Sequence, residues 1–102
     1  MGKEHQGIKS IWRNYEDWEL NTLEPHEVYG HSNRKTSILL GMFMYIDREY
    51  HHWLHNTSDG REENKELQQE MKVKCMEYHN MSESDFDDIF IRGYSHIRDK
   101  YL

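Results

Sequence analysis

The stretch that decides the fold is 36-TSILLGMFMYIDREYHHWLH-55. Apolar residues recur in it at the three- and four-residue spacing of a helix, so it predicts one continuous helix with a broad apolar face. We expect this face to pack against other helices and to form the centre of the core. It comprises Leu39, Met42, Phe43, Ile46, Tyr50, Trp53 and Leu54.

The opposite side of this predicted helix carries more apolar and histidine side chains than a solvated surface normally does. Two interpretations follow. Either the helix is buried on nearly every side, or the second side binds another protein or a second copy of the chain, a role for which methionine is well suited. The candidate partner-binding residues are Leu40, Met44, Tyr45, Arg48, His51, His52 and His55.

The whole chain predicts an all-α fold, a compact bundle of about four helices in a single domain spanning residues 1–102. A chain of this length buries one modest core, so a second domain is not expected. Serine, threonine and acidic residues precede or open several apolar-periodic segments, as they do at helix N-termini. The four predicted helices cover residues 8–22, 36–55, 61–80 and 82–101.

Each of the four predicted helices carries apolar residues that we assign to the core. The expectation covers all three tryptophans, because each lies on a predicted apolar face. In the fourth helix the apolar residues form a nearly complete single face, with Phe90 and Ile97 at its centre. The assigned residues are Trp12, Trp18 and Trp53; Leu67, Met71, Cys75 and Tyr78; and Phe86, Ile89, Phe90, Tyr94, Ile97 and Tyr101.

Two segments fall outside the predicted helices. We expect residues 1–7 to be disordered, and residues 24–35 to form a long connection, since Pro25 disfavours helix at the residue before it. One helical turn fits within that connection. A strand over 38–46 or 89–92 stays open as the alternative, because a short apolar run fits either period.

Composition excludes several classes of function. The formal net charge is −6, so the chain lacks the basic face that nucleic-acid binding needs. It also lacks the roughly 20-residue apolar run of a membrane span, and its one cysteine forms no internal disulfide. We therefore expect a soluble cytoplasmic protein. A helix-turn-helix DNA binder built from residues 24–50, with Asn33, Arg34 and Lys35 near the phosphates, is the weakest alternative.

The histidines suggest a metal site that the sequence leaves incomplete. His51 and His55 are four residues apart, so they share one face of a helix, and His52 offers a second pairing with His55. A zinc site needs at least three protein ligands, so the missing ligand must come from a loop or from another molecule. From the sequence we expect no cofactor and no stabilisation by zinc.

No catalytic constellation is recognisable, so we expect no enzymatic activity. The sequence favours a small acidic helical module that binds a larger protein target or itself, as a regulator or inhibitor. In being short, acidic and rich in aromatic residues it is similar to the small proteins with which bacteriophages inhibit host machinery. A metal-binding helical protein is the first alternative function.

Overall fold

The computed structural model of the protein describes residues 8–30 and 34–92, with side chains up to residue 89. Within these ranges the chain forms five helices and a two-stranded antiparallel sheet, so the prediction of an all-α fold is wrong. The elements, in chain order, are α1 (Asp17–Thr22), β1 (Glu24–Glu27), α2 (Arg34–Leu40), β2 (Phe43–Ile46), α3 (Arg48–Asn56), α4 (Ser58–Tyr78) and α5 (Glu83–Arg92).

The continuous helix predicted over residues 36–55 is wrong, because Gly41 ends α2. Its φ of 79° is in the left-handed region that glycine adopts without strain. The Gly41 N–H donates to the Ile38 carbonyl at 3.1 Å, and the Met42 N–H donates to the Ser37 carbonyl at 2.7 Å. These two bonds form a Schellman motif, which satisfies the last carbonyls of α2 and turns the chain out of the helix.

A separate helix, α3, begins after Asp47. The Asp47 carboxylate accepts hydrogen bonds from the backbone N–H groups of Glu49 at 2.8 Å and Tyr50 at 3.3 Å, as an N-cap does. Between the two helices the apolar run is extended and forms β2. The strand alternative for residues 38–46 is therefore confirmed for its second half, where the chain is buried on both sides.

The sheet pairs β1 with β2 in an antiparallel register that places His26 opposite Met44 and Pro25 opposite Tyr45. The Tyr45 N–H points away from β1 and donates to the Tyr15 hydroxyl at 3.1 Å. Hydrogen-bonded and non-hydrogen-bonded residue pairs alternate along two antiparallel strands. Tyr45 belongs to a non-hydrogen-bonded pair, so its backbone makes no hydrogen bond with Pro25 in β1. Proline, which has no N–H, therefore fits opposite it without loss to the ladder.

The other edge of β2 is covered by the chain that precedes α1. The Ser10 hydroxyl donates to the Phe43 carbonyl, and the Ile11 N–H donates to the Gly41 carbonyl at 2.9 Å. The Tyr15 ring also packs edge-on against the Tyr45 ring, with centroids 5.0 Å apart. Residues 10–15 thus lie along β2 without forming a helix, and the helix predicted over residues 8–22 is confirmed only for α1.

The core lies between the sheet and the pair α4 and α5. Met71, Cys75, Phe86 and Ile89 are buried there, as predicted, and burial raises the pKa of the Cys75 thiol to about 12. β2 contributes side chains to the same cluster. The buried members of this core cluster are Val28, Leu40, Met42, Met44, Met71, Cys75, Met81, Phe86 and Ile89.

Three residues of the predicted partner-binding side belong to the buried interior. Leu40 and Met44 are each 3% exposed and Tyr45 is 7% exposed. The prediction that they form an exposed strip is wrong, because Leu40 and Met44 pack in the core cluster and the Tyr45 ring packs edge-on against the rings of Tyr15 and Phe43. The alternative that this stretch is buried on nearly every side describes them correctly.

Two predicted core residues are instead exposed, and several others lie outside the described residues. Trp18 is 65% exposed on α1 and Tyr78 is 66% exposed near the end of α4. The helix predicted over residues 61–80 corresponds to α4, and the one that starts at Ser82 corresponds to α5. Residues 1–7 and the side chains of Phe90, Tyr94, Ile97 and Tyr101 lie outside the described residues.

The segment proposed for a helix-turn-helix, residues 24–50, contains two paired strands around α2. It therefore has the wrong secondary structure for that motif, which requires two successive helices. Among the described helices, none combines the length and the apolar character that crossing a bilayer demands.

Thr57 alone separates α3 from α4, where the sequence suggested a five-residue loop. Its hydroxyl accepts from the Gly60 N–H at 2.8 Å and so caps α4. At Gly60 the two helices approach so closely that an added Cβ would lie 2.0 Å from the Trp53 carbonyl oxygen. This junction fixes the position of α4 relative to α3.

Gly60→Ala is therefore expected to destabilise the protein, although alanine within a helix normally gains about 1 kcal/mol over glycine. The extra methyl group meets backbone, which cannot move aside as a side chain can, and such overpacking costs about 1–3 kcal/mol. Urea unfolding of the variant measures the loss. Gly30→Ala is the matched control, since its nearest neighbour would be the Glu27 carbonyl at an ordinary 3.6 Å. Equal stability of the two variants would contradict the close approach of α3 and α4.

Candidate metal centre

Three histidine rings meet between β1 and α3. His26 comes from the strand, and His51 and His55 come from the helix. Their ring centroids are 5.0 Å (His26 to His51), 5.1 Å (His26 to His55) and 4.9 Å (His51 to His55) apart. One ring nitrogen from each histidine lies within 4.8 Å of the others, and in the described part of the chain no second such group of potential metal ligands occurs.

The secondary structure explains why these residues converge. His51 and His55 are four residues apart on α3 and therefore project from one face of the helix. Side chains two apart in a strand also share a face, which places Glu24 and His26 of β1 together. The short link through Asp47 returns the chain directly from β2 into α3, so that this helix lies against β1.

Hydrogen bonds orient two of the three rings. A carboxylate can only accept, so His51 donates its Nδ1–H to Glu24 Oε2 at 2.8 Å and keeps a lone pair on Nε2. His26 Nε2 lies 2.8 Å from Asn64 Oδ1, and donation to that oxygen leaves the lone pair on Nδ1. Metal-binding histidines normally have such a partner on the second nitrogen, because it fixes the tautomer and the ring orientation.

The electrostatics favour the neutral form of His26, which is the form that binds metal. His26 is 1% exposed, and this burial lowers its pKa to about 4. The hydrogen bond to Asn64 opposes the shift, while the neighbouring His51 and His55 add to it. At neutral pH a metal ion therefore has no proton to displace from this ring.

The three nitrogens match a zinc site after a small adjustment. Zinc–nitrogen bonds of about 2.0–2.1 Å in tetrahedral geometry place ligand nitrogens roughly 3.3 Å apart. The three histidine nitrogens lie within 4.8 Å of one another, so zinc binding would draw them closer together. Small rotations of the His51 and His55 side chains toward the buried His26 would bring the nitrogens to the separation that zinc requires, since His51 is half-buried and His55 is exposed. Three protein ligands leave a fourth coordination position for water or another molecule.

Two clefts adjoin the histidine cluster. The larger, about 680 Å³, is lined by all three histidines and by one face of α4. The smaller, about 510 Å³, is lined by His51 and His55 together with polar residues of α3 and by Glu24. A metal ion held by the three rings would therefore be accessible from the surface.

Of the residues predicted for a metal site, His51 and His55 belong to the cluster and His52 does not. The His52 ring is exposed, and its Nδ1 accepts from the Asn56 side chain at 3.2 Å. Arg48, predicted to contact a partner, is also exposed and lies 4.0 Å from a Glu24 oxygen. Its charge therefore borders the cluster without taking part in ligation.

Sequence reasoning missed His26, Glu24 and Asn64. Glu24 and His26 alternate around Pro25, a pattern typical of one face of a strand, but the proline favours the connection that the sequence predicts there. Asn64 lies 38 residues from His26 along the chain, so only the packing of α4 against β1 brings the two side chains together.

The chain matches no known protein family, no curated protein and no solved structure.

Proposed function

We propose that this protein binds a zinc ion through His26, His51 and His55. The observation that carries the proposal is the convergence of three imidazoles from two elements, with ring nitrogens within 4.8 Å. Two features support it. Glu24 and Asn64 orient two of the rings, and His26 is kept neutral by burial.

The ligand type selects the class of metal. Imidazole nitrogen suits zinc, copper, nickel and iron, whereas calcium and magnesium prefer oxygen ligands. A set of three histidines with an open fourth position is the arrangement of zinc sites that exchange a ligand, as opposed to closed four-ligand structural sites. We therefore propose an accessible zinc ion facing the larger cleft.

Zinc is expected to raise the melting temperature of the protein, contrary to the expectation from sequence. Ligand binding to the folded state stabilises it by about 2.7 kcal/mol when free zinc is 100 times the dissociation constant. The test uses protein purified without a metal column or a histidine tag, melted with chelator and with zinc. Zinc content after dialysis, measured by elemental analysis, gives the stoichiometry.

The variants His26→Ala and His51→Ala are expected to lose the increment that zinc adds to the melting temperature. The increment is compared within each variant, so any change in its intrinsic stability cancels. His52→Ala is the matched control, because His52 is on the same helix and outside the cluster. The proposal is wrong if zinc stabilises none of the proteins, or if His51→Ala and His52→Ala respond alike.

Binding of a larger protein, or self-association, is a second candidate function. Leu40, Met44 and Tyr45 are buried and cannot provide its surface in the folded chain. Trp18, at 65% exposure, is the observation that favours it, since tryptophan often anchors interfaces. Sedimentation velocity over a concentration series tests self-association, and a strictly monomeric protein would remove that part of the proposal.

A further inference from the structure

The larger cleft beside the histidine cluster is positively charged, although the chain as a whole is acidic. Lysine and arginine number 13 in the sequence against 19 aspartate and glutamate residues. The cleft reverses this ratio, because three cations and a single carboxylate line it. The charged lining residues are Arg34, Arg61, Lys65 and Glu27.

Two of these cations are available to a ligand. Arg34 lies 2.6 Å from Glu27, so that pair is largely neutral. Lys65 Nζ lies 3.2 Å from Glu62 Oε1, but the two side chains are 70% and 73% exposed. An ion pair between such exposed side chains is weak, so Lys65 can turn to a ligand instead. The Arg61 guanidinium makes no hydrogen bond or ion pair with any described residue.

Arg61 lies on α4 among the residues that line the cleft beside the proposed zinc site. Residues 61, 64, 65 and 68 recur at three- and four-residue spacing and line the cleft together. Asn64, the second of them, is hydrogen-bonded to His26. Arg61 and Lys65 therefore flank the residue that contacts the buried ligand, and their charges add to that of a bound metal ion.

We infer that the site takes a small organic molecule bearing an oxyanion, a carboxylate or phosphate group, as the fourth ligand of the metal. This inference rests on the proposed zinc site. Three neutral imidazoles leave the ion its full positive charge, so an anion is the favoured occupant of the open position. Arg61 binds the same group, since its planar guanidinium matches two oxygens at once.

The size of the cleft indicates more than an inorganic ion. A volume of about 680 Å³ is within the roughly 300–1,000 Å³ of small-molecule sites and far exceeds a single phosphate. The side chains of Asn64 and Gln68 also line the cleft and can form hydrogen bonds to the rest of the ligand. Asn64 is already hydrogen-bonded to His26, and Gln68 to the Val28 carbonyl, and each has polar atoms beyond those used in these bonds.

The experiment uses cobalt in place of zinc, because the visible absorption of tetrahedral cobalt reports a change of its fourth ligand. Cobalt is first titrated into the metal-free protein. The loaded protein is then titrated separately with inorganic phosphate and with acetate. We expect the absorption bands to shift saturably with both anions, at lower concentration for the more highly charged phosphate.

Arg61→Gln is expected to bind cobalt like the parent while its dissociation constant for phosphate rises about tenfold. The glutamine amide can still donate one neutral hydrogen bond, so the variant loses the charge and one charge-assisted hydrogen bond. Arg13→Gln is the control of identical chemistry, since Arg13 pairs with Glu19 and does not line the cleft. Absence of cobalt binding would overturn the zinc proposal and this inference together. Cobalt binding with bands that ignore both anions, or equal phosphate affinity in the two variants, would overturn this inference alone.

Discussion

Met44→Glu is expected to abolish the cooperative thermal transition of the protein. Met44 is 3% exposed in the centre of the core cluster, opposite His26 in the sheet. A carboxylate at that position must lose its water without gaining a positive partner, at a cost of several kcal/mol. Because domains of this size are stable by only about 5–15 kcal/mol, the substitution consumes most or all of the total.

Two variants make this result interpretable. Val73→Glu introduces the same charge on α4, where the side chain is 54% exposed, and is expected to melt like the parent. Met44→Leu keeps the apolar volume and is expected to cost less than about 1.5 kcal/mol. A folded Met44→Glu protein with near-parental melting would mean that β2 is not buried, and would restore the exposed strip predicted from sequence.

The metal-free protein is expected to lose about 3 kcal/mol of stability through His26 alone as the pH falls from about 6.5 to about 4. In the unfolded chain the pKa of this histidine is near 6.5, and in the folded protein burial lowers it to about 4. Between those values the unfolded state binds a proton that the folded state does not. Acid therefore favours unfolding, and the stability lost through His26 is regained when the pH rises above about 6.5.

Urea titrations at several pH values in the presence of chelator measure this loss. Carboxylates also titrate toward the acid end of the range, so the informative quantity is the difference in pH dependence between the parent and His26→Gln. The variant lacks the titrating group and is expected to show the shallower dependence. Parallel curves would mean that His26 is accessible to protons in the folded protein.

Local sequence signals predicted the helices whose apolar spacing is long and regular. α4 and α5 follow this spacing, and Met71, Cys75, Phe86 and Ile89 are buried as expected. The failure over residues 36–55 has a physical cause. A run of seven buried or nearly buried residues from Leu40 to Ile46 satisfies helical and extended periods equally, so periodicity alone could not separate them.

Residues that typically end and start helices are nevertheless present in that stretch. Gly41 is a typical residue for ending a helix and Asp47 is a typical residue for starting one. Together they leave five residues between them, the length of an average strand. Giving these two residues more weight than the apolar periodicity would have predicted α2, β2 and α3.

The candidate site divides in the same way. His51 and His55 were identified because their relation is contained within one helix. His26 and Asn64 join them through strand pairing and through the packing of α4, and no local pattern encodes either contact. The expectation of an incomplete metal site was therefore the furthest that spacing along the chain could reach.

The covering of β2 by residues 10–15 has a consequence for behaviour at high concentration. A short apolar strand with a bare edge offers unpaired N–H and C=O groups to the same strand of another molecule, and such edge-to-edge addition starts aggregation. Here the Phe43 carbonyl and the Tyr45 N–H are already bonded to the side chains of Ser10 and Tyr15. The segment before α1 thus occupies this edge of β2, and the same strand of a second copy could pair there only after displacing Ser10 and Tyr15.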